Sequence, residues 1–406
     1  MDTEATKKVV WPRNNSDVCV RCATCMAVCP VARVTPLFPG PKQAGPGAQR
    51  FRSPEEPSVD EWIDLCIGCH LCDMVCSAGV NISELNLIAK AKYLDEKGRP
   101  FRDWLLTHVS LFGELGSFFS RLVNPLLRSL VVRRFLDAFL KIDRRREIPG
   151  YESPTFRQWF KGHSFKSDQK IAYFYGCYTN TNEVDVAKAT VQVLEANGYE
   201  VVLPSQKCCG IPMLGNGDFS EARKMGLSNV PSLLGAVRSG LDLVFSSTSC
   251  GHMIKHEYAH LLHIPHAEEV AEHTFDLFEL LRNLHGSDKL NTRFKELPLK
   301  AAYFSPCHLK SLGIGFPAFE ILQRVPGLTV DYIEADCCGL GGTFGFKKEK
   351  YGISQEIGKD LAEAIDRLKP EIVLSDCEGC RMQIRHLTGL KVLHPIQILR
   401  DALDRQ

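Results

Sequence analysis

Seventeen cysteines divide into four groups with none left over, and this constrains the chain more than any other feature. Cys19, Cys22, Cys25 and Cys29 follow the spacing C-x2-C-x2-C-x3-C and run into Pro30. Cys66, Cys69, Cys72 and Cys76 repeat that spacing, with Ser77 in place of the proline. Cys177, Cys208, Cys209 and Cys250 form a third group; Cys307, Cys337, Cys338, Cys377 and Cys380 form a fourth. Disulfide frameworks belong to short secreted chains, whereas this one has 406 residues and an odd cysteine count. Residues Met1 to Lys8 contain no apolar core of a signal peptide. The expectation is a reduced, cytosolic protein whose thiolates hold metal.

A [4Fe–4S] cube needs four thiolates from tetrahedral directions. Three closely spaced ones wrap one corner; the fourth must come from elsewhere. In two-cluster ferredoxins the last cysteine of each run serves the other cluster. The spacing therefore predicts one cluster on Cys19, Cys22, Cys25 and Cys76, and a second on Cys66, Cys69, Cys72 and Cys29. Pro30 fixes φ and turns the chain away. Zinc is the competing reading, but zinc sites use separated C-x2-C pairs, and two identical four-cysteine runs fit that poorly. Between the runs, Pro36 to Pro46 reads as an ordered loop, rich in Pro and Gly. Helical spacing appears over 81–97 at Ile82, Leu85 and Ile88. Residues 1–100 are expected to form a mostly helical two-cluster ferredoxin domain.

Residues 101–168 are expected to be a basic amphipathic helical linker. Leu105, Leu111, Phe112, Phe118, Phe119, Leu122, Leu126 and Leu130 make its first part apolar. Eight Lys and Arg residues fall within 121–146, against Asp137 and Asp143 alone. Uncharged apolar stretches stay well below the ~18 residues of a membrane span. Such helices can lie in a membrane interface or pack on the ferredoxin or a partner subunit. Sequence alone leaves both readings open.

The rest of the chain is an internal repeat. Lys170 to Cys177 aligns with Lys300 to Cys307, Cys208-Cys209-Gly210 with Cys337-Cys338-Gly339, and Asp242 to Cys250 with Glu371 to Cys377. The near-constant offset signals duplication. Each copy alternates short apolar runs with helical stretches (184–196, 316–324), which reads as an α/β unit with thiolates at strand C-terminal ends. The boundaries are placed at 169–298 and 299–406, and the overall class is α+β. Adjacent side chains on an extended strand point to opposite faces. Each Cys-Cys pair can therefore meet one metal group only if the backbone bends, which Gly210 and Gly339 permit. Five thiolates, Cys307, Cys337, Cys338, Cys377 and Cys380, suit an unusual multi-iron cluster. The first copy carries Met253 at the fifth position. A cluster, a vacant site or a reactive dithiol remain open for Cys177, Cys208, Cys209 and Cys250.

Lys+Arg 49 against Asp+Glu 48 argues against nucleic acid as a partner. Flavin, nicotinamide, Walker A and H-E-x-x-H signatures are missing from the sequence, as is any nucleophile–base pair. No catalytic residue is assigned. Gly339, Gly341 and Gly345 read as part of the Cys-Cys turn, and His308, His252 and His256 as satisfied structural histidines. The chain is expected to move electrons without hydride chemistry of its own.

Two ferredoxin runs followed by two Cys-Cys-Gly repeats resemble the iron–sulfur subunits that pair with flavoprotein dehydrogenases, a group that includes heterodisulfide reductase C and B subunits. Cys29 to Val34, Pro39 to Pro46, Leu140 to Arg145 and Gly342 to Glu349 resemble, more specifically, the C-subunit family of anaerobic glycerol-3-phosphate dehydrogenases. That resemblance covers nearly the whole chain. It implies a peripheral subunit at the cytoplasmic face of the inner membrane, docked to flavin-bearing catalytic subunits and passing electrons to menaquinone. It also implies a non-cubane [4Fe–4S] cluster on Cys307, Cys337, Cys338, Cys377 and Cys380, and Met253 breaks that pattern in the first copy. Rival readings are the iron–sulfur subunit of a glycolate or lactate oxidase, a disulfide-reducing enzyme acting at the non-cubane site, and a zinc-stabilised membrane adaptor.

Overall fold

The apolar runs of the repeat become parallel strands. The computed structural model describes residues 16–53 and 55–404, so Met1 to Lys8 lie outside the described residues. Gln169–Phe174 (β1), Tyr199–Val202 (β2), Leu243–Phe245 (β3) and Thr274–Asp276 (β4) form one sheet in the order β2-β1-β3-β4. Leu299–Tyr303 (β5), Leu328–Tyr332 (β6), Ile372–Leu374 (β7) and Val392–Leu393 (β8) form a second, β6-β5-β7-β8. Every pairing is parallel, with Ala172 opposite Leu243 and Ala301 opposite Ile372 at matching positions. Parallel strands need helical crossovers that cover both faces, which is why their sequences are apolar without alternation. With its helical N-terminal part, the chain is α+β. β4 and β8 escape a sequence reading because three and two residues show no period. They end in capping residues: Asp276 boxes with Glu279, and His394 with Gln397.

The two copies share one core. Helix Val184–Ala196 of the first packs on Pro395–Ala402 of the second, and Leu277–Gly286 packs on Pro317–Leu322. Ile171, Val191 and Leu281 join Tyr303, Leu374 and Ile396 in a single buried cluster. This packing turns the C-terminal ends of both sheets toward one another.

The expected helix over 81–97 is present as Ile82–Lys97 and stops at Gly98, whose φ of 83° no helix can continue. The stretch Pro36 to Pro46 differs from its reading as a loop. Its last part enters a π-helical turn, Gln43–Gly47, laid against that helix. A Cβ on Gly45 would fall 2.8 Å from Ile82 Cγ2, so glycine serves close approach here and not looseness.

Four helices follow: Phe101–Thr107, Val109–Phe118, Ser120–Arg128 and Leu130–Phe139. Their inward positions are small. Gly113 abuts Thr181, Gly116 abuts the Tyr151 ring, and Ser117 and Ser120 are buried. The large apolar residues point out: Phe118 is 75% exposed and Val131 74%, with Leu111, Leu115, Leu122 and Phe139 similarly bare. A water-facing helix has the opposite arrangement. No helix among the described residues is long and apolar enough to cross a membrane.

Candidate metal centres

Every thiol of the two repeats sits just beyond a strand end. Cys177 lies in the turn of helix after β1 and Cys307 opens the one after β5. Cys250 lies in helix Thr248–His252 after β3, while Cys377 caps helix Glu378–Thr388 after β7 and Cys380 follows in its first turn. The Cys-Cys pairs occupy the loops after β2 and β6. Gly210 (φ 92°) and Gly339 (φ 87°) supply the bend expected there. A Cβ on Gly339 would lie 2.3 Å from the Ser354 carbonyl oxygen, so no other residue fits.

The thiols also converge into four groups in space. In the second copy Cys380 Sγ donates to Cys338 Sγ at 3.3 Å. A hydrogen bond from Cys307 draws the Cys337 thiol well below its usual range, while that same bond and burial raise Cys307. In the first copy Cys177 Sγ donates to Cys208 Sγ at 3.8 Å, and Cys209 bonds with both Cys208 and Cys250. Met253, fully buried, fills the place of the fifth thiol.

The last cysteine of each N-terminal run packs beside the other run: Cys29 with Cys66, and Cys76 with Cys19 and Cys25. Burial, then the charges of Cys19, Cys76 and Cys22, raise the Cys25 thiol, so Cys76 sits with the first run. Burial pushes the Cys29 thiol up to about 11, and charge on Cys66 adds to the rise. Cys69 and Cys72 are raised chiefly by burial, and both feel Cys29 and Cys66. Backbone amides already face several sulfurs: Ala32 N donates to Cys29 Sγ (3.5 Å), Val80 N to Cys76 Sγ (3.3 Å) and Gly339 N to Cys337 Sγ (3.4 Å). Amide donors of this kind stabilise a thiolate that carries metal charge. All 17 cysteines are free thiols. Converging, unpaired, amide-facing thiols are the donor set that an iron–sulfur cluster requires.

The groups also adjoin one another. Cys337 lies near Cys29 and is the foremost charged neighbour of Cys69. Gly341 (φ 56°) lets the loop after Cys338 approach Ile67, between Cys66 and Cys69. His308, satisfied as expected, places Nε2 at 3.2 Å from the Gly68 carbonyl and Nδ1 at 3.1 Å from Ser249 Oγ. Ser249, next to Cys250, is 3.6 Å from Cys377 Sγ, and Ser247 Oγ donates to Glu378 at 2.9 Å. Cys25 and Cys72 share one buried cluster, so the four thiol groups form an unbroken series of neighbours. Beyond the last lies a cavity of about 640 Å³, lined by Trp104, His108, Leu111, Tyr175, Cys177 and Cys208, at the foot of the apolar helices. Sequence reasoning missed Ser249, which bridges two groups only through the tertiary packing of the copies. It also misjudged His252, whose buried Nδ1 has no hydrogen-bond partner.

Comparison with known proteins accords with this layout. A family profile described as "4Fe-4S dicluster domain" matches residues 15–80, and one described as "Cysteine-rich domain" matches 171–255 and 301–385. The chain is 37% identical over 390 residues to the C subunit of the anaerobic glycerol-3-phosphate dehydrogenase of Escherichia coli (strain K12), covering 95% of this chain and 98% of that protein. The chain belongs to the family of anaerobic glycerol-3-phosphate dehydrogenase C subunits. More distant family likenesses are a lactate utilization protein A of Oceanobacillus iheyensis (31% over 246 residues, 57% of this chain and 96% of that one) and the B subunit of the fumarate reductase (CoM/CoB) of Methanothermobacter marburgensis (25% over 413 residues, 95% and 72%). The family's name places this iron–sulfur chain among the subunits of a larger dehydrogenase.

Proposed function

We propose that this chain is the electron-transfer and membrane-anchoring subunit of an anaerobic glycerol-3-phosphate dehydrogenase, taking electrons from flavoprotein subunits and delivering them to menaquinone. The observation that carries this reading is the unbroken series of four thiol groups ending at a cavity beside an outward-facing apolar surface. Residues 1–100 hold the entry groups, 101–168 form the anchoring helices, and 169–298 and 299–406 carry the two Cys-Cys-Gly sites. Cys19, Cys22, Cys25 and Cys76 hold one [4Fe–4S] cluster; Cys29, Cys66, Cys69 and Cys72 hold a second. Cys307, Cys337, Cys338, Cys377 and Cys380 hold a third, non-cubane cluster. Cys177, Cys208, Cys209 and Cys250 are four converging thiols that can take a further one. When bound, these groups supply one-electron carriage.

The chain's own residues order the sites, exclude water and aim amides at sulfur. His308 and Ser249 fix the spacing between the second, third and fourth groups. The cavity's size falls in the ~300–1,000 Å³ range of ligand sites. Trp104 stacks on His108 at 4.9 Å, giving the cavity an aromatic wall suited to a flat quinone ring. The exposed Phe118, Leu122, Val131 and Phe139 form the apolar face, and Arg121, Arg128 and Arg134 are placed to meet anionic headgroups.

Flotation with vesicles of anionic phospholipid tests the anchoring. The wild-type chain is expected to rise with the vesicles, and the Phe118→Ser/Leu122→Ser variant to stay behind with its visible cluster absorbance unchanged. Equal behaviour of the two proteins would assign the apolar face to a partner subunit instead.

A further inference from the structure

One cluster of side chains belongs to none of the four thiol groups. His70, His252 and Glu257 are buried together, with exposures of 5%, 2% and 1%. They come from distant parts of the chain: His70 follows Cys69 in the second ferredoxin run, while His252 and Glu257 follow Cys250 in the first copy of the repeat. Their donor atoms, one from each residue, all lie within 4.8 Å of one another. His70 Nε2 is 3.0 Å and His252 Nδ1 3.4 Å from Glu257 Oε1. A tetrahedral shell with bonds of ~2.0–2.2 Å has edges of roughly 3.3–3.6 Å. The two nitrogens stand at about that spacing from the carboxylate oxygen, and the whole set lies within 4.8 Å.

Hydrogen bonding does not account for the arrangement. Glu257 Oε1 and His252 Nδ1 are both buried and neither has a hydrogen-bond partner. A buried polar atom left so keeps its desolvation cost uncompensated, and here two face each other. A His70–Glu257 ion pair would satisfy one of them and leave His252 Nδ1 stranded. His308 does not help. It stacks on His252 at 4.9 Å, but both its ring nitrogens are engaged, with Ser249 and Gly68.

The surroundings are those of a metal ligand. His70 Nδ1 is 2.8 Å from Ser83 Oγ, which in turn donates to Asp73 Oδ2. With Nδ1–H given to Ser83, His70 turns its Nε2 toward Glu257. A carboxylate behind a liganding histidine fixes its tautomer in this manner. His70 adopts a left-handed backbone conformation (φ 60°) and Glu257 ends a π-helical turn, Met253–Glu257.

We propose that His70, His252 and Glu257 bind a single divalent transition-metal ion, zinc or ferrous iron, separate from the iron–sulfur clusters. His256, half exposed, places Nδ1 at 3.4 Å from the same Glu257 oxygen on the solvent side. Two imidazoles and one carboxylate are a nitrogen–oxygen set that both ions accept. The ion clamps the second cysteine run to the first copy of the repeat.

Full-length protein purified without oxygen is analysed for zinc, iron and acid-labile sulfide. The expected wild-type result is one ion per chain beyond the iron matched by sulfide. Either one zinc is found, or iron exceeds sulfide by one; the two outcomes identify the metal. Glu257→Gln keeps the side-chain volume and is expected to weaken that ion by at least about 100-fold with sulfide unchanged. His252→Ala should do the same. Cobalt(II) taken up by wild-type protein with its clusters in place should show visible bands of a nitrogen–oxygen site without thiolate charge-transfer absorption. Iron equal to sulfide with no zinc overturns the proposal. So does an extra ion retained by Glu257→Gln, or a cobalt spectrum of thiolate type.

Discussion

Cys69→Ser is expected to lower quinone reduction driven by glycerol-3-phosphate at least about 100-fold in the assembled complex, while dye reduction by the flavoprotein subunits persists. Cys69 shares a group with Cys29, Cys66 and Cys72, and Cys337 of the next group is its foremost charged neighbour. Serine offers a harder and far less acidic donor, so the cluster on this group would be lost. The comparison that gives the result its meaning is Cys250→Ser. If the first copy carries electrons, both variants fail; if it is scaffold, only Cys69→Ser does. Unimpaired quinone reduction by Cys69→Ser would refute the relay.

The second large effect concerns stability. Arg381, 1% exposed, follows Cys380 and is the largest fully buried side chain among the described residues. Its Nε donates to Glu183 Oε2 at 3.0 Å and its Nη1 to the Ser375 carbonyl at 2.8 Å. Glu183 belongs to the first copy and Arg381 to the second. Glu183→Ala leaves a guanidinium buried without its counter-charge. Breaking a buried pair from one side costs about 3–5 kcal/mol. At ~2–4 °C per kcal/mol, the lower figure corresponds to a fall in Tm of roughly 6–12 °C. Adding Arg381→Met removes the stranded charge and should recover most of the loss. A Tm unchanged in the single variant would show that solvent reaches Arg381.

Much of this was legible in the sequence because cysteine spacing encodes ligand geometry directly. The four groups, the duplication, the bends at Gly210 and Gly339 and helix 81–97 all follow from local pattern. What stayed hidden depends on distant packing. β4 and β8 are too short to show a period. The Pro36–Pro46 stretch reads as a loop until Ile82 is laid against Gly45 and gives its end a surface to coil on. His252 looks like any core histidine, since its partners, His70 and Glu257, meet it only in the fold. The linker's apolar content was plain, but not which face it presents. Gly113, Gly116, Ser117 and Ser120 show that the small residues turn inward.

The most direct test of the central claim is the iron and acid-labile sulfide content of the chain after anaerobic purification. Three clusters on the first, second and five-cysteine groups predict about twelve sulfides per chain, and a cluster in the first copy would raise this to about sixteen. About eight would restrict the clusters to the ferredoxin runs and contradict a relay through the repeats. Thiol groups filled with zinc, and no sulfide, would contradict electron transfer by this chain altogether.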